Sequence, residues 1–325
     1  MSTSLVTGAA GFIGFALARH LANDPAHQVI LIDNFIRGER DEAYTELCRS
    51  PNVSAFEMDL SAPDAVERLP DAAFDFVFHL AAFNGTQNFY EHPYEVLRHS
   101  TLPMFALVEK YLRTAKVRGR FVYAGSSEAY ASTVSRFGWP VPTAEDVPLG
   151  IEDPTNPRWS YGVSKLHGEV LTCLACKQFG VPFTAIRYHN VYGPRMGDKH
   201  VIPDFVARMK QGVYSLYGHE DTRSFIYIDD AVDATMRLAT SPKAADQIVN
   251  LGGTDEITMA RLGELMMQAA GIQAPIKLLP SPQGSVKRRA PDISKLRSIT
   301  GFEPQWSLER GLRETVAWYR SHPKT

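Results

Sequence analysis

The sequence predicts an α/β fold, a doubly wound parallel sheet with a smaller C-terminal lobe, on three observations. A short run ending Leu5-Val6-Thr7 enters the glycine-rich stretch Gly8-Ala9-Ala10-Gly11-Phe12-Ile13-Gly14, and an amphipathic segment over 15–21 follows at once. A second apolar run, 28–32, ends on Asp33, about twenty residues past that turn. Further apolar runs at 53–58, 74–78, 120–124, 181–187 and 248–252 alternate with helix-patterned stretches. Strands alternating with helices read as βαβ units and a parallel sheet.

Each element has a local reason. Glycines at 8, 11 and 14 serve a tight turn, a close backbone approach to a pyrophosphate, and close packing of helix on strand; the helix N-terminus then faces the phosphates. The spacing is G-x-x-G-x-x-G rather than G-x-G-x-x-G. Asp33 is placed to take ribose hydroxyls and to repel a 2′-phosphate, which favours NAD over NADP, although Arg37 and Arg40 lie close enough to keep NADP open. The strand over 53–58 ends in Asp59 and Leu60. His79, Leu80, Ala81 and Ala82 follow the strand over 74–78, where small residues let a ligand pass the C-terminal end of a strand; His79 there reads as packed. A helix over 93–115 leads to the strand over 120–124, which ends in Gly125-Ser126-Ser127-Glu128.

The segment 132–159 carries several prolines, is too long for a mere connector, and is expected to cover the site. Leu166, Val170, Leu171, Leu174 and Ala175 form an apolar stripe that predicts a helix over 160–179. Tyr161 and Lys165, four apart, then share one face. An ammonium beside a phenol stabilises the phenolate, lowers its pKa, and makes it a base for a hydroxyl proton. Taken alone, the pair also fits a surface aromatic beside a solvated lysine. After the strand over 181–187 come a helix over 203–211, the late strand, and a final amphipathic helix over 307–320.

At 325 residues, 44% hydrophobic and 22% charged, the composition is that of a globular protein with room for one large or two joined domains. A formal charge of −2 gives no electrostatic case for nucleic acid or an anionic membrane. No apolar run is long enough to span a bilayer and the first strand begins close to Met1, so a cytoplasmic location is expected. Cys48, Cys173 and Cys176 make neither a disulfide framework nor a metal set, since Cys173-x-x-Cys176 lies inside a helix with no second ligand pair.

The glycine turn, Ser126, Tyr161-x-x-x-Lys165, Arg187-x-x-Asn190-x-Tyr192-Gly193-Pro194-Arg195, Arg223 and Arg289-x-Pro291-Asp292 together resemble the short-chain dehydrogenase/reductase superfamily. The likeness is to its extended branch of nucleotide-sugar epimerases, dehydratases and decarboxylases, and runs from about residue 4 to 320. It implies a Rossmann-type NAD domain over 1–186 and 224–253, and a nucleotide-sugar lobe over 187–223 and 254–325. It implies NAD contacts from Gly8, Gly11, Phe12, Ile13, Gly14, Asp33, Asn34, Asp59, Leu60, Leu80, Ala81, Ala82, Tyr161, Lys165, Tyr188 and Val191. Asp59 would hydrogen-bond the adenine edge, or else cap the following turn. Substrate contacts would come from Asn84, Ser127, Asn190, Val201, Arg223 and Arg289, with the polar and aromatic segment 83–92 lining the sugar site.

In that family Ser126 would hold the sugar oxygen while Tyr161 and Lys165 drive oxidation at C4. Simple 4-epimerases usually have no acid in the next two positions, 4,6-dehydratases have Asp-Glu, and glucuronate decarboxylases typically have Ser-Glu. The chain has Ser127-Glu128, so Glu128 is expected to act near C5, or else to hold a loop. His189 departs from the phenylalanine common at its position, and the cysteine of 3,5-epimerases is absent. Lys199 and His200 stand as acid/base candidates or as solvated loop residues. The expected activity is an NAD-dependent epimerase/dehydratase-type reaction through C4 oxidation, with decarboxylation, dehydration or C5 inversion slightly ahead of plain C4 epimerisation. A non-catalytic NAD-binding regulator is the rival. A homodimer pairing through the final helices is the expected assembly.

Overall fold

The computed structural model describes residues 2–198, 200–281 and 286–322. Seven strands form one parallel sheet: β1 (Ser2–Thr7), β2 (His27–Asp33), β3 (Val53–Glu57), β4 (Phe74–His79), β5 (Val117–Ser126), β6 (Phe183–Tyr188) and β11 (Gln247–Leu251). The strands between β6 and β11 are short: β7 (Val191–Tyr192), β8 (Ser215–Tyr217), β9 (Thr222–Arg223) and β10 (Ile226–Tyr227). Beyond them lie β12 (Ile257–Thr258), β13 (Lys277–Leu279) and β14 (Arg288–Arg289).

Spatial order in the large sheet is β11-β6-β5-β4-β1-β2-β3, so the winding reverses between β1 and β4. Chains of this kind bind ligands in the crevice at that switch point, outside the carboxyl ends of the strands. Side chains alternate across the sheet, so neighbours in sequence enter different cores. Leu5, Val77 and Phe121 pack with Leu107, Tyr111 and Cys176 on one face. Val6, Phe78 and Val122 join Leu17, Phe205, Leu262 and Leu312 in a second core that continues into the C-terminal third.

Two elements differ from expectation. The helix predicted over 93–115 is Pro93–Leu107 followed by a π turn, Val108–Leu112. There Arg113 N–H reaches back five residues to the Val108 carbonyl at 2.9 Å. The helix Ser160–Phe179 has the predicted bounds but a different buried face. Its buried face carries Ser160, Gly162, Ser164, Lys165, Gly168 and Glu169 in its first half, and the predicted stripe is split: Ala175 is buried and Leu171 packs against the core, while Val170 and Leu174 are exposed, Leu174 by 63%. Small residues are needed on the core side because the helix lies hard against β5 and the turn after it; a Cβ on Gly168 would stand 2.0 Å from the Tyr123 hydroxyl, and one on Gly162 2.7 Å from the Glu128 carbonyl oxygen.

Candidate active site

A cavity of about 500 Å³ opens at the C-terminal ends of β1, β4 and β5. All residues assigned by sequence to cofactor, substrate or catalysis border it. The glycine turn forms its floor. Gly8 has φ +71°, and a Cβ there would stand 2.7 Å from the Ala81 nitrogen, so β1 and β4 approach as close as backbone allows. A Cβ on Gly14 would lie 2.0 Å from the Gly8 oxygen, whereas one on Gly11 meets only that oxygen, at 3.1 Å. The third glycine therefore seats the helix Phe12–Ala22 on the strand, and the second leaves room above the turn for a phosphate. That cradle fits a dinucleotide.

Asp33 holds the turn together, accepting hydrogen bonds from Ala10 N–H (2.9 Å) and Phe35 N–H (2.8 Å). Burial raises its carboxyl pKa, with those backbone donors opposing. Of the two arginines that kept NADP open, Arg40 is engaged elsewhere and Arg37 borders the cavity. Arg40 pairs with Glu57 at 2.6 Å and covers the Phe35 ring. Arg37 reaches across the cavity to Gly85 and Gly197, where a Cβ on either would stand 3.4 or 2.8 Å from its guanidinium. Asp59 serves its own turn, accepting from Ser61 N–H (2.9 Å) and Ser61 O–H (2.7 Å), and still borders the cavity beside Leu60.

At the other end stand Ser126, Tyr161 and Lys165. Lys165 Nζ donates to the Ala124 carbonyl at 2.7 Å and lies 5.6 Å from the centre of the Tyr161 ring. Burial pulls its pKa down to about 7. The expected lowering of the Tyr161 pKa by this lysine is not found in the protein alone. Burial raises it first and the charge of Glu128 adds to that, while hydrogen bonds with Ser126 and Asn84 and the charge of Arg37 oppose. The physical reason is that the ammonium points to a β5 carbonyl, and a buried phenolate lacks water. Phe89 stacks on Tyr161, centroids 5.2 Å apart and planes 9° off parallel, and fixes the ring.

Glu128 is buried between two guanidiniums: Arg158 Nη2 at 2.8 Å from Oε2 and Arg289 Nη1 at 2.7 Å from Oε1. Burial alone would raise its pKa, but Arg289 and Arg158 outweigh it and hold the carboxyl below the usual range. It is therefore a fixed anion. Arg223 and Arg289 are register partners in the parallel pair β9 and β14, so two short strands set two arginines side by side at the cavity wall. Burial, then repulsion from Arg289, lowers the Arg223 pKa to about 10. Asn190 has φ +36°, and its Nδ2 donates to the Ser224 carbonyl at 2.9 Å.

The histidines separate cleanly. His79 is buried against the Thr7 hydroxyl at 2.8 Å, and burial takes its pKa to about 3, as a packed residue should. His189 is buried away from the cavity, its Nε2 2.8 Å from the Tyr130 hydroxyl. His200 borders the cavity. Lys199 lies outside the described residues. The segment 132–159 does not cover the site. It includes the helix Ala131–Phe137, and Glu145 Oε1 accepts from Asn250 N–H at 2.8 Å, tying it to the sheet edge. Only its end, Arg158, borders the cavity.

Arg158 is a cavity residue that sequence reasoning missed, whereas Phe89 falls in the segment 83–92 expected to line the sugar site. The signal for Arg158 was its place three residues before Tyr161, just after Pro157 at a helix entry. Among the described residues no cluster of His, Cys, Asp and Glu is placed to hold a metal. No helix of the described chain is long and apolar enough to cross a membrane.

A dinucleotide cradle facing a serine, a tyrosine and a lysine defines a dehydrogenase-type site able to exchange a hydride with an alcohol carbon. The chain belongs to the NAD-dependent epimerase/dehydratase family, whose model matches residues 4–252. It is 33% identical to the UDP-N-acetyl-alpha-D-glucosaminuronate decarboxylase of Bacillus cytotoxicus, over 97% of each chain. It is 30% identical to UDP-glucuronic acid decarboxylase 1 of Xenopus tropicalis, over 97% of this chain and 72% of that one. Among solved structures it is similar to the UDP-glucuronic acid 4-epimerase of Bacillus cereus in complex with UDP-glucuronic acid and NAD. That likeness has a TM-score of 0.86 at 26% identity, over 98% of this chain and 99% of the other. The protein is an enzyme of this family and its cofactor is NAD.

Proposed function

We propose that the enzyme acts on a nucleotide-diphosphate sugar, a UDP-hexuronate in first place, by transient oxidation at C4. Tyr161 takes the C4 hydroxyl proton and Ser126 holds the oxygen. Bound NAD⁺ supplies the acceptor for the C4 hydride and can return it. Lys165 contributes positive charge beneath the tyrosine. A ketone at C4 acidifies C5 and turns a C6 carboxylate into a leaving group, so decarboxylation is favoured over plain C4 inversion. The observation that carries this preference is the Glu128, Arg158 and Arg289 cluster beside Ser126.

In this reading residues 187–223 and 254–325 form the nucleotide-sugar lobe. Arg223, Arg289 and Asn190 take the diphosphate, for which a guanidinium fork is suited. A cytoplasmic location belongs to the same reading. The test is incubation of purified protein with a panel of nucleotide sugars in D₂O, followed by mass and NMR. Loss of CO₂ from a UDP-hexuronate is expected. Inversion with no CO₂ released would make it a 4-epimerase, and no exchange on any nucleotide sugar would overturn the C4-oxidation reading.

A homodimer is supported by exposed apolar residues on two adjoining helices rather than by the final helix. Val170 and Leu174 lie exposed on Ser160–Phe179, beside exposed Leu102 and Phe105 on the adjoining Pro93–Leu107. Leu308–Ser321 buries its own apolar residues, Leu312, Val316 and Tyr319. Leu174→Glu is expected to halve the mass read by light scattering. An unchanged mass would remove this face as the interface.

A further inference from the structure

Arg158 is the cavity residue with the least explained position. Its side chain is 12% exposed, borders the cavity, and is fixed from three sides. Its guanidinium carbon lies 5.5 Å from the Phe89 ring centre and 5.0 Å from that of Trp159, and Glu128 holds its edge. Phe89 is thus shared: one neighbour is the Tyr161 ring, another is Arg158. The stack therefore orders the base and the cation together.

Two features show that Glu128 does not exhaust this cation. Arg158 and Arg289 both pair with the single Glu128 carboxylate, two cations against one anion, which leaves one positive charge in excess. Arg158 Nη1 and Arg289 Nε are buried and have no hydrogen-bond partner among the described residues. Burying a cation without a full complement of acceptors is costly, and an anionic ligand group offsets that cost.

Position then fixes which anion. Arg158 sits in the 3₁₀ turn Pro157–Trp159 that enters the helix, and its guanidinium and the Tyr161 ring flank the same Phe89 ring, 5.5 and 5.2 Å from its centre. A sugar whose C4 hydroxyl meets Tyr161 carries its C6 group two bonds from C4, and Arg158 and Tyr161 are common neighbours of Phe89. The diphosphate lies at the far end of the sugar, with Arg223 and Arg289. We infer that Arg158 is the specificity-determining residue that pairs with a carboxylate at sugar C6, and that Glu128 positions it. This rests on the C4-oxidation reading of the same site. It explains why Glu128 is clamped: the carboxylate holds two guanidiniums in place, one for each end of the sugar.

The test uses the NAD-loaded enzyme and measures dissociation constants by calorimetry for UDP-glucuronate, UDP-glucose and UDP. Loss of charge-assisted hydrogen bonds in Arg158→Met is expected to weaken UDP-glucuronate roughly 10- to 100-fold, with UDP-glucose and UDP changed less than about threefold. Arg158→Lys, which keeps the charge without the fork, should fall between. Equal weakening of all three ligands would show a merely structural role and overturn the inference, as would unchanged discrimination in both variants. If Arg158→Met does not fold, Arg158→Lys alone decides by the same ratio. The parent reading fails differently. It falls if the unaltered enzyme exchanges no hydride on any nucleotide sugar, even where it still separates UDP-glucuronate from UDP-glucose.

Discussion

Tyr161→Phe is expected to lower turnover by about 10²- to 10⁴-fold, the usual worth of a positioned acid or base, with substrate affinity changed little. The ring keeps its place in the variant because Phe89 stacks on its face and the helix is seated on β5. Only the hydroxyl that meets Ser126 and Asn84 is lost. The pH profile carries the sign. Burial raises the Tyr161 pKa, so its active, deprotonated form becomes more abundant as pH rises, giving an ascending limb in kcat/KM. Lys165 works the other way: its pKa is lowered by burial to about 7, so its charge is lost as pH climbs past that value. Tyr161→Phe should abolish the ascending limb. Steady-state rates from pH 5.5 to 9 decide it, where roughly that window spans the lysine value and its flanks. A variant as fast as the parent, with the same profile, would remove Tyr161 from the chemistry.

What could be read in advance was whatever depends on neighbours in sequence. The glycine turn, Asp33, and the pairing of Tyr161 with Lys165 are local patterns, and the structure brings them to one cavity. Ser126 came from the family resemblance, and the structure puts it at the cavity because β5 ends at the switch point. Contacts between distant segments were not legible. Nothing in Ser127-Glu128 announces that Arg158 and Arg289 will close on the carboxylate, since one arrives from a helix entry and the other from a two-residue strand. The helix Ser160–Phe179 misleads for a different reason. Periodicity locates an apolar face but does not say what covers it, and here the sheet requires small residues on the side it meets. Electrostatic reading failed at the lysine, whose ammonium chose a backbone carbonyl that no spacing rule shows.

Glu169→Ala is expected to destabilise the fold by about 3–5 kcal/mol, because it strands a buried guanidinium. Arg187 on β6 and Glu169 on the helix Ser160–Phe179 have side chains 2% and 3% exposed. They meet as a fork, Nε to Oε2 at 2.9 Å and Nη2 to Oε1 at 2.7 Å. Burial disfavours the arginine's charge, and Glu169 more than restores it. Without that carboxylate, Arg187 keeps the Glu145 carbonyl at 2.9 Å, the face of Tyr130 and the charge of the Glu145 carboxylate, which forms no ion pair with it. Urea unfolding monitored by circular dichroism measures the loss. Replacing both partners, Arg187→Met with Glu169→Leu, should cost far less, since no charge is then left unpaired. The pair also bears on catalysis. Arg187 leads into Tyr188 and Asn190 at the cavity, and Glu169 lies four residues beyond Lys165, one turn along the same buried helix face. The double variant, stable but without the fork, is therefore expected to lose turnover while the glycine turn still binds NAD. A double variant with parental turnover would show that the close packing of Gly162 alone aligns Tyr161 with Ser126.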